Sequence, residues 1–271
     1  MSYQYLKNAR KVICIGRNYA AHIKELNNPT PKQPFFFLKP TSAIITPITT
    51  TSSTGAVPPH ARYPSDSISS VYTYKGLQED GTNPSPIYIP KGVDVHHEVE
   101  IALVLDKYIS NAKPGVEVPV FDAIRGVSLA LDLTARNVQN EAKKKGLPWT
   151  IGKGFDTFLP MSAFISKDKL VAKENKAFQK SFDLTCKVNN ELRQEGNSEL
   201  MLNSFSKILQ HISTMISLEP GDIVLTGTPA GVGSLNPGDT IECTLSQNGK
   251  QLVDMQFDCF AKPGPYEYKE T

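Results

Sequence analysis

Glu98 and Glu100 stand two residues apart in HHEVEIALVL, so in an extended chain both carboxylates leave one face while Val99 and Ile101 turn to the other. Two such acids at the head of an apolar strand repel each other unless a proton or a cation is shared between them. Asp132, near the end of VSLALDL, is a third acid in apolar surroundings, on the face it shares with Ser128 and Ala130. Three carboxylates with no thiolate suit a hard divalent ion, Mg²⁺ first and then Mn²⁺ or Ca²⁺, with coordination positions left for water or a ligand. The same spacing also describes acids at a strand edge facing solvent, and spacing alone does not separate the two.

His22 and Glu25 are three apart in a helical segment, so they share a face, and the carboxylate can orient the imidazole and raise its basicity. That suits a general base, although a lone helical histidine is also an ordinary surface or packing residue. Lys153 stands in the glycine-flanked IGKGF, where small neighbours let an ammonium group approach a ligand closely; the plain alternative is a solvated loop lysine. Arg136 and Gln139, three apart on one helix, can meet a substrate carboxylate or a water, or simply form a polar face. TGTPAGVG at 226–233 has the glycines of a phosphate loop but lacks its Gly-Lys-Ser/Thr ending, so a nucleotide site is not expected. Its glycines fit a backbone turn beside a ligand, with the Thr228 hydroxyl placed to hydrogen-bond a carboxylate.

These residues need a frame. Val12 to Ile15 reads as a buried strand, and Arg17 to Leu26 as a short helix stopped by Asn27-Asn28-Pro29. His97 to Leu105 and Val127 to Leu133 read as strands covered on both faces. Helical spacing runs from Thr134 to Lys145, with Gly146 as its stop. Phe182 to Val188 and Leu192 to Glu195 pair across Asn189-Asn190, residues 203 to 216 form an amphipathic helix, and Ile223 to Thr226 is a strand. Thr240 to Ser246 and Leu252 to Phe260 are strands joined at Asn248-Gly249. Many strands and three or so helices predict a mainly β, α+β architecture of mixed connectivity in one domain over 1–271. Residues 51–87, rich in Ser, Thr, Pro and Gly, read as a surface insertion.

Composition narrows the function classes. A net charge of +2 with dispersed basic residues gives no footprint for nucleic acid, and no apolar run is long enough for a membrane-spanning helix. Cys14, Cys186, Cys243 and Cys259 lie far apart, as expected of buried reduced thiols in a protein that is not secreted. The residues before Glu25 include Lys7, Arg10, Lys11 and Arg17 but no acid, a faint likeness to a targeting segment for which the strand from Lys11 leaves little room; it agrees weakly with the mitochondrial matrix, which the family resemblance below favours over the cytoplasm.

The segments that carry these residues resemble the fumarylacetoacetate hydrolase superfamily, especially its smaller acylpyruvate hydrolase and oxaloacetate decarboxylase-like members. The resemblance lies in IGRNYAAHIKEL at 15–26, PFFFLKPTS at 34–42, HHEVEIALVL at 96–105, SLALDLTARNVQNEAKKKGLPWTIGKGFD at 128–156 and LEPGDIVLTGTPAGVG at 218–233. It implies a rolled or sandwiched mixed β-sheet with a few peripheral helices, a homodimer, and Mg²⁺ or Mn²⁺ held by Glu98, Glu100 and Asp132. It also implies a lid helix bearing His22 and Glu25, and Lys153 as the group that stabilises an enolate oxyanion. Arg17, Tyr19 and Lys39 fall in the same motifs without a resolved role, while His96, His97 and His211 read as structural. The substrate so implied is a small 2-oxo acid that reacts through its enolate, with oxaloacetate tautomerisation the first expectation. Acylpyruvate hydrolysis and oxaloacetate decarboxylation are the alternatives. An inactive metal-stabilised binding protein is the alternative of another class, against which His22 and Glu25 argue. Residues 51–87 depart from the smaller relatives and put substrate choice in question.

Overall fold

The computed structural model describes residues 2–48, 76–171 and 174–270. A six-stranded sheet runs in the order Ile165–Ser166, Ile124–Leu131, Val99–Leu105, Ile223–Leu225, Val12–Gly16, Phe35–Lys39. Only Val12–Gly16 and Ile223–Leu225 are parallel within it; the other neighbours are antiparallel. A five-stranded sheet follows the order Glu191–Asn197, Phe182–Val188, Thr240–Gln247, Lys250–Ala261, Ile87–Ile89, its last pair parallel. The mixed, mainly β architecture is therefore as the strand count predicts.

Val99–Leu105 is buried along its whole length because the two faces meet different apolar layers. Ile101, Leu103 and Leu105 join the cluster that also holds Phe182, Leu184, Leu245, Val253 and Met255 of the five-stranded sheet, and Ala102 and Val104 join one with Tyr5, Leu6, Ile44 and Met161. In the outer hairpin Thr240–Gln247 alternates buried and half-buried residues, as a strand with one core face must. Asn248 and Gly249 both take positive φ (50° and 78°), the turn that the Asn-Gly pair predicts. Asn189 and Asn190 do the same at 51° and 67°.

Several sequence expectations need correction. The helix expected from Arg17 begins at Ala20, because Arg17 sits at φ 59° and Asn18 is fixed by hydrogen bonds to Asn203 and Thr226. The strand expected from His97 to Leu105 is broken at Glu98. Val95–His97 pairs with Gly233–Leu235 and Thr134–Ala135, whereas Val99–Leu105 belongs to the six-stranded sheet, so the chain changes sheets there. For the same reason the helix expected from Thr134 starts at Arg136, though it ends as expected at Gly146, in the left-handed region at φ 68°. Three helices were missed, Val120–Ala123, Thr150–Lys153 and Asn175–Gln179, each too short to show a period. Of the surface insertion expected at 51–87, residues 51–75 lie outside the described residues, and its end is not surface: Asn83, Ser85 and Ile87 are buried, Ile87 in a core strand. Among the described residues no helix is long and apolar enough to cross a membrane.

Candidate active site and metal centre

The sheet change at Glu98 builds the site. Val99 and Glu100 pair with Leu131 and Ala130, and one step beyond the strand end the Asp132 N–H donates to the Glu98 carbonyl at 2.8 Å. Glu98, Glu100 and Asp132 thus converge at one corner, 6%, 1% and 1% exposed, each offering a carboxylate oxygen within 4.8 Å of the others. The solvent-edge alternative for these acids does not hold.

Each acid is compensated differently. Arg136 donates to Glu98 Oε1 at 2.6 Å, and Lys153 Nζ donates to Glu98 Oε2 and Asp132 Oδ2 at 2.9 Å each and to Thr134 Oγ1 at 2.6 Å. Lys39, also buried, lies 3.0 Å from Asp132 Oδ1 and donates to the carbonyls of Leu133 and Lys153. Burial opposes the charge of Glu98, but Lys153, Arg136 and His22 outweigh it and hold the carboxyl well below the usual range. Burial likewise opposes the Lys153 ammonium, and Asp132 and Glu98 outweigh it and raise its pKa. Glu100 is the exception. It accepts the Gly227 N–H at 2.6 Å, and burial, then Asp132 and Glu98, push its carboxyl well above the usual range.

A divalent ion fits this donor set. The ligands are hard oxygens with no thiolate or imidazole, and Glu100 needs positive charge.

The remaining predicted residues surround the corner. His22, Glu98, Glu100, Arg136, Gln139, Lys153 and Thr228 line one pocket, with Arg17, Phe37, Lys143 and Trp149 among the other walls. His22 Nδ1 is 3.4 Å from Glu25 Oε2, and Glu25 accepts the Gly231 N–H at 3.0 Å, which ties the helix Ala20–Glu25 to the glycine-rich loop. Burial lowers the His22 pKa, with Glu98 and Glu25 opposing, so the ring is held neutral near pH 7. Arg136 Nη1 donates to Gln139 Oε1 at 2.8 Å, so the guanidinium is committed to Glu98 and Gln139 and the Gln139 amide N–H₂ is left to donate.

Lys153 is no loop lysine. It closes the one-turn helix Thr150–Lys153, where a Cβ on Gly152 would sit 3.3 Å from the Gln139 backbone, and it is 2% exposed. At Gly227 (φ 105°) a side chain would be strained and its Cβ would lie 2.6 Å from Asn18 Cβ, so glycine is required for the N–H to reach Glu100.

Sequence reasoning missed Gln194. It is fully buried; its Oε1 accepts from His97 Nδ1 (2.9 Å) and the Val99 N–H (3.2 Å), and its Nε2 donates to Thr228 Oγ1 and the Pro229 carbonyl (2.8 Å each). It therefore clamps both flanks of Glu98 to the loop bearing Thr228. Because the Thr228 oxygen accepts from Gln194, its proton is free to be donated to a ligand. The local sequence carries no signal for it; only the fold makes Gln194 the one buried position of the otherwise exposed strand stretch Glu191–Glu195.

The chain is similar to known proteins over most of its length. The model of the fumarylacetoacetate (FAA) hydrolase C-terminal family matches residues 11–256. The mitochondrial oxaloacetate tautomerase of Saccharomyces cerevisiae is 60% identical over 271 residues, covering 100% of both chains. The mitochondrial oxaloacetate decarboxylase of Dictyostelium discoideum is 38% identical, over 94% of this chain and 96% of that one. Among solved structures, a yeast fumarylacetoacetate hydrolase family protein superposes with a TM-score of 0.84 at 57% identity, over 99% of this chain and 100% of the other.

Proposed function

The chain belongs to the fumarylacetoacetate hydrolase family, and from that premise we propose that it is a divalent-metal-dependent oxaloacetate tautomerase, interconverting the keto and enol forms. The observation that carries the reading is a neutral buried histidine, a buried lysine and three convergent carboxylates around one pocket, in a chain similar over its full length to a tautomerase. Glu98, Glu100 and Asp132 would hold the ion, for which Mg²⁺ is our choice and Mn²⁺ the alternative. When bound, it supplies positive charge that acidifies the C3 protons of a 2-oxo acid.

His22 moves the proton at C3, being neutral and therefore basic at neutral pH, and Glu25 holds its ring in place while anchoring the helix to Gly231. Lys153 stabilises the enolate oxygen by its charge; its three donors already serve Glu98, Asp132 and Thr134, so a direct hydrogen bond to substrate requires one of them to be exchanged. Gln139 and Thr228 present N–H and O–H donors to the substrate carboxylate, and Arg136 acts chiefly by fixing Glu98 and Gln139. The helix Ala20–Glu25 covers the pocket and excludes water, as a lid does. The catalytic unit is one domain, we place it in the mitochondrion as its named relatives are placed, and a homodimer is its expected assembly.

The similarity to a named decarboxylase keeps a second reading in play. The test follows the ultraviolet absorbance of freshly dissolved enol-oxaloacetate with Mg²⁺ or chelator while pyruvate is assayed in parallel. Metal-dependent enol loss without pyruvate is expected. Stoichiometric pyruvate makes the protein a decarboxylase, and no change in either signal moves the assignment to acylpyruvate cleavage.

A further inference from the structure

Arg136, Gln139 and Lys143 follow one another at steps of three and four along the helix Arg136–Lys145, and all three line the pocket. The first two are engaged with each other and with Glu98. Lys143 has no carboxylate in contact among the described residues. Its ammonium lies 5.3 Å from the Trp149 ring centroid, and Trp149 is itself wedged edge-on to Phe35 (5.1 Å) and tilted against Phe37 (5.6 Å). Arg17 adds a further cation to the same wall, 5.9 Å from the Phe35 centroid. Burial first, and then the Arg136 and Arg17 guanidiniums, push the Lys143 pKa down to about 8, with Glu98 opposing.

The pocket also has a direction. The carboxylate corner and Lys153 are buried, whereas Lys143 and Trp149 are half-buried, so a ligand with its 2-oxo acid end at the corner carries its tail outward past Lys143. We propose that Lys143, steadied on Trp149, is a specificity-determining contact for a second carboxylate on the substrate, so that the pocket selects 2-oxo dicarboxylates over 2-oxo acids with uncharged tails. This rests on the oxaloacetate reading above and adds to it the group that recognises the C4 carboxylate.

The test compares the wild-type, Lys143→Met and Lys143→Arg proteins, each loaded with Mg²⁺, on enol-oxaloacetate and on its C4 methyl ester. Calorimetric titration with 2-oxoglutarate and 2-oxobutyrate is done beside it. Lys143→Met is expected to raise KM for oxaloacetate about 10- to 100-fold with kcat nearly unchanged, to leave the ester's KM alone, and to erase any preference for 2-oxoglutarate. Lys143→Arg is expected to restore the preference. Equal effects on charged and uncharged tails, or none on either, overturn the inference while leaving the tautomerase reading intact. Conversely, a wild-type protein without turnover that still prefers 2-oxoglutarate in a Lys143-dependent way supports the subsite and sinks the tautomerase reading instead.

Discussion

Replacing Gln194 with leucine keeps the side chain's bulk and removes four buried hydrogen bonds at once. His97 retains Cys186 Sγ at 3.8 Å from Nδ1, and the Thr228 hydroxyl can rotate, but the Val99 N–H and the Pro229 carbonyl lose the partner that satisfies them. A buried polar group left unsatisfied costs about 1–3 kcal/mol, so two give a loss on the order of 2–6 kcal/mol. At roughly 2.1 cal/mol/K of unfolding entropy per residue, 271 residues give about 0.6 kcal/mol/K, and Tm is expected to fall by roughly 3–10 °C. Since Val99 and His97 flank Glu98, the Mg²⁺ concentration for half-maximal activity is expected to rise several-fold, and with Thr228 unmoored KM rises too. Scanning calorimetry with and without Mg²⁺, an Mg²⁺ titration of the initial rate and a substrate titration at saturating Mg²⁺ read the three in turn. A Tm within about 1 °C of wild type with an unchanged Mg²⁺ requirement refutes the clamp.

Glu98→Gln removes a charged ligand and leaves Arg136 and Lys153 short of their shared acid, so Mg²⁺ binding by calorimetry and turnover should both be lost; retention of both removes the metal assignment. His22→Ala should keep Mg²⁺ affinity and lose about 10²- to 10⁴-fold in kcat, the usual worth of a general base, and an unchanged kcat takes His22 out of the mechanism. In the wild type, protonation of His22 removes the base. Because burial sets its pKa below 6.5, kcat/KM should hold at neutral pH and fall on the acid side of 6.5, a limb that a stopped-flow pH profile would miss only if another group carried the proton. The Lys143 ammonium, at about 8, loses its charge as pH rises, so kcat/KM for oxaloacetate should decline above about pH 8 and that decline should disappear in Lys143→Arg.

The acids could be found from sequence because carboxylates in apolar strands are conspicuous, yet the geometric reason offered for them was incomplete. Parity along a single strand does not bring Glu98 beside Glu100; the chain changes sheets at Glu98, and the Asp132 N–H to Glu98 carbonyl bond sets the corner. The hairpins were legible because Asn189-Asn190 and Asn248-Gly249 encode positive φ locally. Lys39, Gln194 and Asn18 were not, since each is defined by partners far away in the chain, at Leu133, Thr228 and Asn203. Lys153 was found through its family motif, but the helix that seats it went unread because one turn leaves no periodicity.

The charges around the corner explain how such a site folds at all. Lys39, Arg136 and Lys153 contact Asp132 and Glu98, so these two buried acids are matched by cations from within the chain. Glu100 has instead a single backbone N–H, and burial with Asp132 and Glu98 beside it pushes its carboxyl well above the usual range. Three carboxylates and three cations thus stand together at the corner. A divalent ion added to three carboxylates and three cations gives the corner a surplus of two positive charges, which a dianionic 2-oxo dicarboxylate neutralises and a monoanionic acid does not. The proposed preference for a second carboxylate thus agrees with the corner's charge as well as with Lys143, and removal of the ion is expected to silence the site without unfolding the protein.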